Sequence, residues 1–268
     1  MPPATAQSEL ATARAEHAAQ AALVAFAVGQ ALAAGATAAS IAAVVQQYQA
    51  AAVALALSTT DAILAEQSIP ATSTATVVPI TLLTSRAAVT QMAQAAGSGG
   101  AARLVGSLVR DAARTARAVD IATRPKVSGY YRHIVPPSCG RCAILAGRFY
   151  RWTEPFYRHP QCDCVPTPTD LANGTELAID PQDMFERGQI HGLSKADTEA
   201  INLGADIAQV VNVRRKQAGL TVGSSVLARG GRLTPAGILT RAKTRDEALK
   251  ALAKYGYIRA ASQASRSA

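Results

Sequence analysis

The sequence predicts a mainly α protein: an alanine-rich helical region first, a small β/loop module in the middle, and short helices at the end. Three observations carry this. Hydrophobic residues make up 49% of the 268-residue chain, enough to bury a core, but aromatic residues make up only 4%. Alanine supplies much of the hydrophobic count, which favours helix over sheet and keeps burial per residue shallow. Most of the aromatic residues, and all four cysteines, fall between positions 130 and 164.

The first stretch, Ala4 to about Gln67, reads as two long helices broken near Gly35, where Ala-Ala-Gly-Ala-Thr offers a turn. From Ala18 to Thr60 there is no charged residue, and this run exceeds the ~20 apolar residues that cross a bilayer. Against a membrane span stand Gln20, Gln30, Gln46, Gln47, Gln49 and Tyr48, the preference for alanine over leucine, and the lack of flanking Lys or Arg clusters. Leu23, Phe26, Ala27 and Gln30 keep helical spacing, so a buried helical hairpin is the expectation. Met1 to Ala15 are polar and mixed, unlike a secretory signal. Ile69 to Ile80, with Pro70 and Pro79, cannot continue a helix and reads as an extended connection, with helix resuming near Leu82.

Gly97-Ser98-Gly99-Gly100 reads as a hinge or boundary. In the helix that follows, Ala101 to Ala122, offsets of 7, 11 and 14 residues place Arg103, Arg110, Arg114 and Arg117 on one side. Leu104, Leu108, Ala112 and Val119 lie on the other flank. The net charge of +9 is uneven: residues 1 to 100 hold 2 basic and 4 acidic residues, and the rest of the chain 25 and 14. Clustered basicity suits a polyanion such as nucleic acid, and it equally suits a solvated helix face.

Pro125 ends that helix, and Tyr130, Tyr131, Phe149, Tyr150, Trp152, Phe156 and Tyr157 mark a different unit, in which Gly147 to Trp152 reads as a strand. From Ala178 onward helix signals return: Ser194 with Asp197, Thr234 before Pro235, and Thr244 with Glu247 in a helix that ends at Gly256. No repeat of fixed period is present. The chain thus divides into an Ala-rich helical region (1–96), a basic amphipathic helix (101–126), a metal-binding module (127–168) and a C-terminal helical region (169–268).

The metal assignment comes from the cysteines. Cys139-X-X-Cys142 is followed after 19 residues by Cys162-Asp163-Cys164, with His159 three residues before Cys162. The first pair has the spacing of a zinc knuckle, where a tight turn aims both sulfurs at one point, and Gly140 relieves the backbone beside the thiolates. In the second pair an extended backbone sends alternate side chains to one face. His159 precedes Pro160, which restricts it to an extended conformation. Cys139, Cys142, His159, Cys162 and Cys164 are therefore five candidate donors for the four positions of a structural zinc, expected as Cys139 and Cys142 plus two of the other three. Disulfides lack an indicated oxidising compartment, a redox Cys-X-X-Cys lacks its strand and helix alternation, and a catalytic zinc lacks the His-X-Glu of zinc deaminases. The 127–168 stretch is loop-rich and proline-rich, so a metal cross-link would offset the chain entropy that its apolar burial cannot.

The run Cys139-X-X-Cys142, Gly147-Arg148-Phe149-Tyr150 and His159-Pro160-Gln161-Cys162-Asp163-Cys164 resembles the core motif of the phage Mu F-like minor head proteins. Gly204 to Asn212, Arg245 to Leu249 and Tyr255 to Ile258 are similar to versions in actinobacterial tailed phages, so the likeness covers about residues 100 to 260. The resemblance implies a structural minor capsid protein of a tailed double-stranded DNA phage, inside the head in the virion and in the host cytoplasm during assembly. It implies the portal protein and the major capsid protein as partners and roles in head morphogenesis or DNA injection. Packaged DNA would be met through Arg103, Arg110, Arg114 and Arg117, and no small-molecule substrate is expected. Relatives of this type are sometimes described as capsid maturation proteases. Here there is no Gly-X-Ser-X-Gly elbow, His17, His133 and His191 have no evident Ser and Asp partners, and neighbouring Ser194 and Lys195 would diverge on a helix. Enzymatic activity is therefore not the expectation. A capsid maturation protease using Ser138 or Ser194, and a membrane-active injection protein using residues 18–60, stay open as alternatives.

Overall fold

The computed structural model describes residues 11–74, 83–158, 162, 164–170, 179–213 and 231–258. Among the described residues helix accounts for 62% and strand for 9%, so the fold is mainly α, with a helical N-terminal region and short C-terminal helices. The chain falls into two compact units, one from Met1–Val135 and Ala146–Ile179, the other from Pro136–Leu145 and Asp180–Ala268. This division differs from the four consecutive stretches read from the sequence. The physical reason lies in residues 136–145, whose short strand hydrogen-bonds to the C-terminal region and whose Ile144 joins the apolar core there.

The first unit opens with helices α1 (Ala11–Ala33) and α2 (Ala38–Glu66), the hairpin that the alanine pattern predicts. Gly35 at φ 77° makes the turn, and Thr37 caps α2 by accepting from the Ser40 N–H at 3.1 Å. Buried residues on α1 (Ala13, Glu16, His17, Gln20, Val24, Ala27, Ala31) recur every three or four positions, so one stripe faces inward. The glutamines of the uncharged run act as fasteners. Gln20 Nε2 donates to the Ala52 carbonyl at 3.0 Å, and Gln49 Nε2 to Thr84 Oγ1 and the Leu108 carbonyl at 3.1 Å each. Among the described residues α2 is the one helix long and apolar enough to cross a membrane by length and composition. Its Ile41, Val45, Ala52, Val53 and Ala56 lie in the core it shares with the neighbouring helices.

Helix α3 (Arg86–Ala122) begins later than Leu82 and continues through Gly97 to Gly100. The expected hinge is a kink: Gly97 alone leaves helical geometry, at φ 62° and ψ 179°. Val89 and Ala93 before it and Ala101, Val105 and Val109 after it belong to one apolar cluster, so packing on both sides holds the two halves together. The arginine stripe is corrected as well. Arg103 is exposed and Arg110 half-buried, whereas Arg114 and Arg117 are buried. Arg117 Nη2 pairs with Glu16 Oε2 of α1 at 2.5 Å, and its Nη1 donates to Thr60 of α2 at 2.9 Å. On the flank expected to be apolar, Ala112 is buried but Val119 is 39% exposed. Arg124, two residues beyond Ala122, binds Asp120 at 3.1 Å and Asp61 at 2.7 Å.

Strands β1 (Gly129–His133), β3 (Phe149–Arg151) and β4 (Val165–Thr169) form an antiparallel sheet in the order β3-β1-β4. Tyr130 lies opposite both Tyr150 and Pro168, and its ring stacks on that of Tyr150 at 5.3 Å. Gly129 is required by space, since a Cβ there would stand 2.0 Å from the Tyr150 carbonyl oxygen. Every residue of β1 is buried. Alternation puts Tyr131 with Ala13 and Ile63, and Tyr130 with Leu64, Ile121 and Val127.

In the second unit β2 (Ser138–Cys139) pairs in parallel with β5 (Ile190–His191), and β2 leads into the one-turn helix α4 (Gly140–Ala143). The short helices α5 (Pro181–Glu186), α6 (Lys195–Asn202), α7 (Ile207–Asn212), α8 (Pro235–Arg241) and α9 (Arg245–Lys254) each start on a capping side chain. Ser194 and Asp197 form the full reciprocal capping box. Thr244 accepts from the Glu247 N–H, while the Glu247 carboxylate takes the Lys243 N–H instead of the cap's own. The core is Ile144, Ile201, Val210, Leu233, Ile238 and Leu252 with Tyr257, whose hydroxyl donates to the Leu233 carbonyl at 2.9 Å.

Candidate metal centre

Cys139 ends β2 in an extended conformation and is the N-cap of α4, where its Sγ accepts the Cys142 N–H at 3.4 Å. This is the tight Cys-X-X-Cys turn that the spacing predicts. Gly140 serves it through packing: a Cβ would stand 3.1 Å from Val211 and 3.3 Å from Leu193, so those side chains would have to give by a few tenths of an ångström to admit one. Cys142, one helical step further, is buried, while Cys139 is only half-buried.

Cys162 and Cys164 precede β4 directly and are both buried. The Sγ atoms of Cys142, Cys162 and Cys164 all lie within 4.8 Å of one another, close enough to bind one metal ion. Three sulfurs at ~2.3 Å from a zinc would be separated by ~3.8 Å in a tetrahedron. The set therefore comprises one sulfur of the Cys-X-X-Cys pair and both of the Cys-X-Cys pair, and Cys139 stands outside it. His159, the other candidate donor, lies outside the described residues. None of the four cysteines forms a disulfide.

Two buried arginines frame Cys162 and Cys164. Arg132 of β1 donates through Nη1 to Cys164 Sγ at 2.7 Å and through Nη2 to the Tyr157 carbonyl at 2.6 Å, with its guanidinium 4.2 Å above the Phe156 ring. Burial opposes the charge on Arg132, but Cys164, Tyr150 and Cys162 outweigh it and hold the pKa above its ordinary value. Arg114 of α3 donates through Nε to the Cys164 carbonyl at 2.9 Å and through Nη2 to the Cys162 carbonyl. Its Nη1 meets Asp111 at 3.0 Å, and the same carboxylate also pairs with Arg158. Arg132 was missed in the sequence, where its only signal is a charged residue alternating with Tyr130 in a strand pattern. Arg114 was singled out, but for a solvent-facing role.

The other residues weighed for chemistry are engaged differently. Ser194 Oγ donates to Asp197 Oδ2 at 2.8 Å as a helix cap. Ser138 is buried in β2, and His191 is exposed in β5. His133 is buried with neither ring nitrogen hydrogen-bonded, and the His17 and Tyr131 rings each lie 6.1 Å away. Burial, with His17 and Arg14 adding to it, pushes its pKa down to about 3. A neutral, enclosed imidazole of this kind packs; it is not poised as a base near neutral pH.

No protein-family model, no curated protein and no solved structure matches this chain.

Proposed function

We propose that the chain is a structural minor head protein of a tailed double-stranded DNA phage, related to the phage Mu F-like proteins and stapled by one zinc ion. The observation that supports this reading is the meeting of Cys142, Cys162 and Cys164, since their two motifs are those on which the family resemblance rests. In this reading zinc is held by those three thiolates, with a fourth donor from Cys139 or His159. Thiolate-rich tetrahedral sites suit zinc, and a closed donor set suits a structural role. When bound, the metal supplies a cross-link, and the chain's residues supply the pre-arranged sulfurs. The partners are the portal and the major capsid protein. With Arg114 and Arg117 engaged inside, contact with packaged DNA falls to the exposed Arg103 and the half-buried Arg110 of the proposed stripe.

Metal analysis by mass spectrometry together with thiol titration tests the zinc: about one equivalent per chain, with thiols that react only after chelation, is expected. Metal-free protein, or Cys142→Ser with unchanged metal content, would overturn it. Quantitative mass spectrometry of purified phage particles that carry the gene tests the virion role. The chain is expected in DNA-filled heads at low copy number, and its absence from particles would overturn that role.

A further inference from the structure

A guanidinium is an unexpected neighbour for a cation site, since like charges repel. The sulfurs resolve the conflict. Three thiolates around a dication carry one excess negative charge, and a buried charge persists only when it is matched by another charge and by hydrogen bonds. Arg132 meets both requirements: it is 3% exposed, and its Nη1 reaches Cys164 Sγ at 2.7 Å. Its other contacts, to the Tyr157 carbonyl and over the Phe156 ring, leave it little freedom to turn away. Arg114 acts on the same segment through the backbone, where its fork takes the carbonyls of both Cys162 and Cys164 and Asp111 orients it from behind.

We infer that Arg132 is the counter-charge and the positioning residue of the three-sulfur metal site, with Arg114 fixing the backbone that presents Cys162 and Cys164. This inference rests on the metal reading above. An N–H donor on a thiolate does for sulfur what outer hydrogen-bond partners do for ligating histidines, holding the ligand in one orientation before the metal arrives. It also lowers the cost of assembling several like charges in a dry interior. The two arginines come from a strand and a helix, so the segment that presents Cys162 and Cys164 is held from two regular elements.

The test uses the full chain, with zinc affinity measured by competition with a chromogenic chelator. Arg132→Gln should lower the affinity ~10- to 100-fold, the usual cost of losing an outer partner. Arg132→Lys, which keeps the charge but loses the fork, should fall between that variant and the unaltered chain. Cobalt supplies a readout that general destabilisation would not move: the thiolate-to-cobalt charge-transfer band should weaken or shift in Arg132→Gln. Arg124→Gln, which removes a buried arginine away from the sulfurs, should leave both band and affinity unchanged. Should Arg132→Gln fail to fold, Arg132→Lys and Arg114→Gln carry the comparison, and affinities equal to the unaltered chain's in both would overturn the inference. Equal affinity and an unchanged cobalt band in a folded Arg132→Gln would also overturn it, while leaving the metal reading intact. If the unaltered chain takes up neither zinc nor cobalt, the metal reading fails and the inference falls with it.

Discussion

The first unit contains two interiors built on opposite principles. Around α1, α2 and α3 the core is alanine and valine at helical spacing, sealed by a few glutamine hydrogen bonds and by buried ion pairs, among them Arg117–Glu16. Around β1 and β4 the interior holds Arg132, His133, Thr167, Cys162 and Cys164, with Tyr130 and Tyr131 as its large apolar bodies. The helices can be held by packing alone, because long amphipathic stripes bury apolar surface at every turn. The short strands cannot, because each buries few apolar groups and encloses polar ones that must be satisfied. Where apolar area runs short, ionic contacts and hydrogen bonds take over the holding, here those of Arg132 and Arg114 to the cysteine segment.

The largest expected effect would break that comparison outright. If the sulfurs hold zinc, its removal by chelation should cost ~10 kcal/mol or more, since binding free energy at such a site is folding free energy. Hydrogen exchange should then show β1 and β4 losing protection while α1 and α2 keep theirs. Uniform loss in both would mean that the two interiors are one cooperative structure.

Acid should also act on the strand interior first. His133 has a folded pKa of about 3 against an ordinary value of 6.5. As pH falls below ~6.5, the unfolded chain takes up a proton that the folded chain refuses, so stability is unaffected above that pH and declines between pH ~6.5 and ~3. At ~1.4 kcal/mol per pKa unit the full loss is on the order of 5 kcal/mol. Urea midpoints measured from pH 7 downward should fall less steeply for His133→Leu than for the unaltered chain. That difference separates the histidine from the proton dependence of the metal ligands themselves.

In the helical interior the ion pair is the sharpest probe. Arg117→Met leaves Glu16 buried without its partner at 2.5 Å, and should cost ~3–5 kcal/mol in denaturant titrations. Adding Glu16→Leu should recover most of the loss, which would show that the bundle tolerates an apolar replacement of this buried pair. The smallest effect lies in the second unit, where Ser194→Ala removes the capping box of α6. About 1 kcal/mol is expected there, read from the thermal midpoint.

The parts of the fold legible in the sequence are those that depend on neighbours within one or two turns. The helical hairpin broken at Gly35, the strand at Phe149–Arg151 and the caps Ser194, Thr234 and Thr244 all belong here. So does the turn at Cys139-X-X-Cys142, because each is specified by the order of a few residues. The clustering of the cysteines was legible for the same reason. Tertiary structure alone decided which sulfurs meet, since Cys142 and Cys164 are far apart in sequence and Cys139, only three residues from Cys142, stays outside the set. It also decided the fate of the arginine stripe. A helical wheel places Arg103, Arg110, Arg114 and Arg117 on one side, but whether that side meets water depends on what else the chain brings there. Glu16, 101 residues before Arg117, and Cys164, 50 residues after Arg114, draw the last two inward. A lone charge is expelled from an interior and a matched one is kept, and only the folded chain supplies the match.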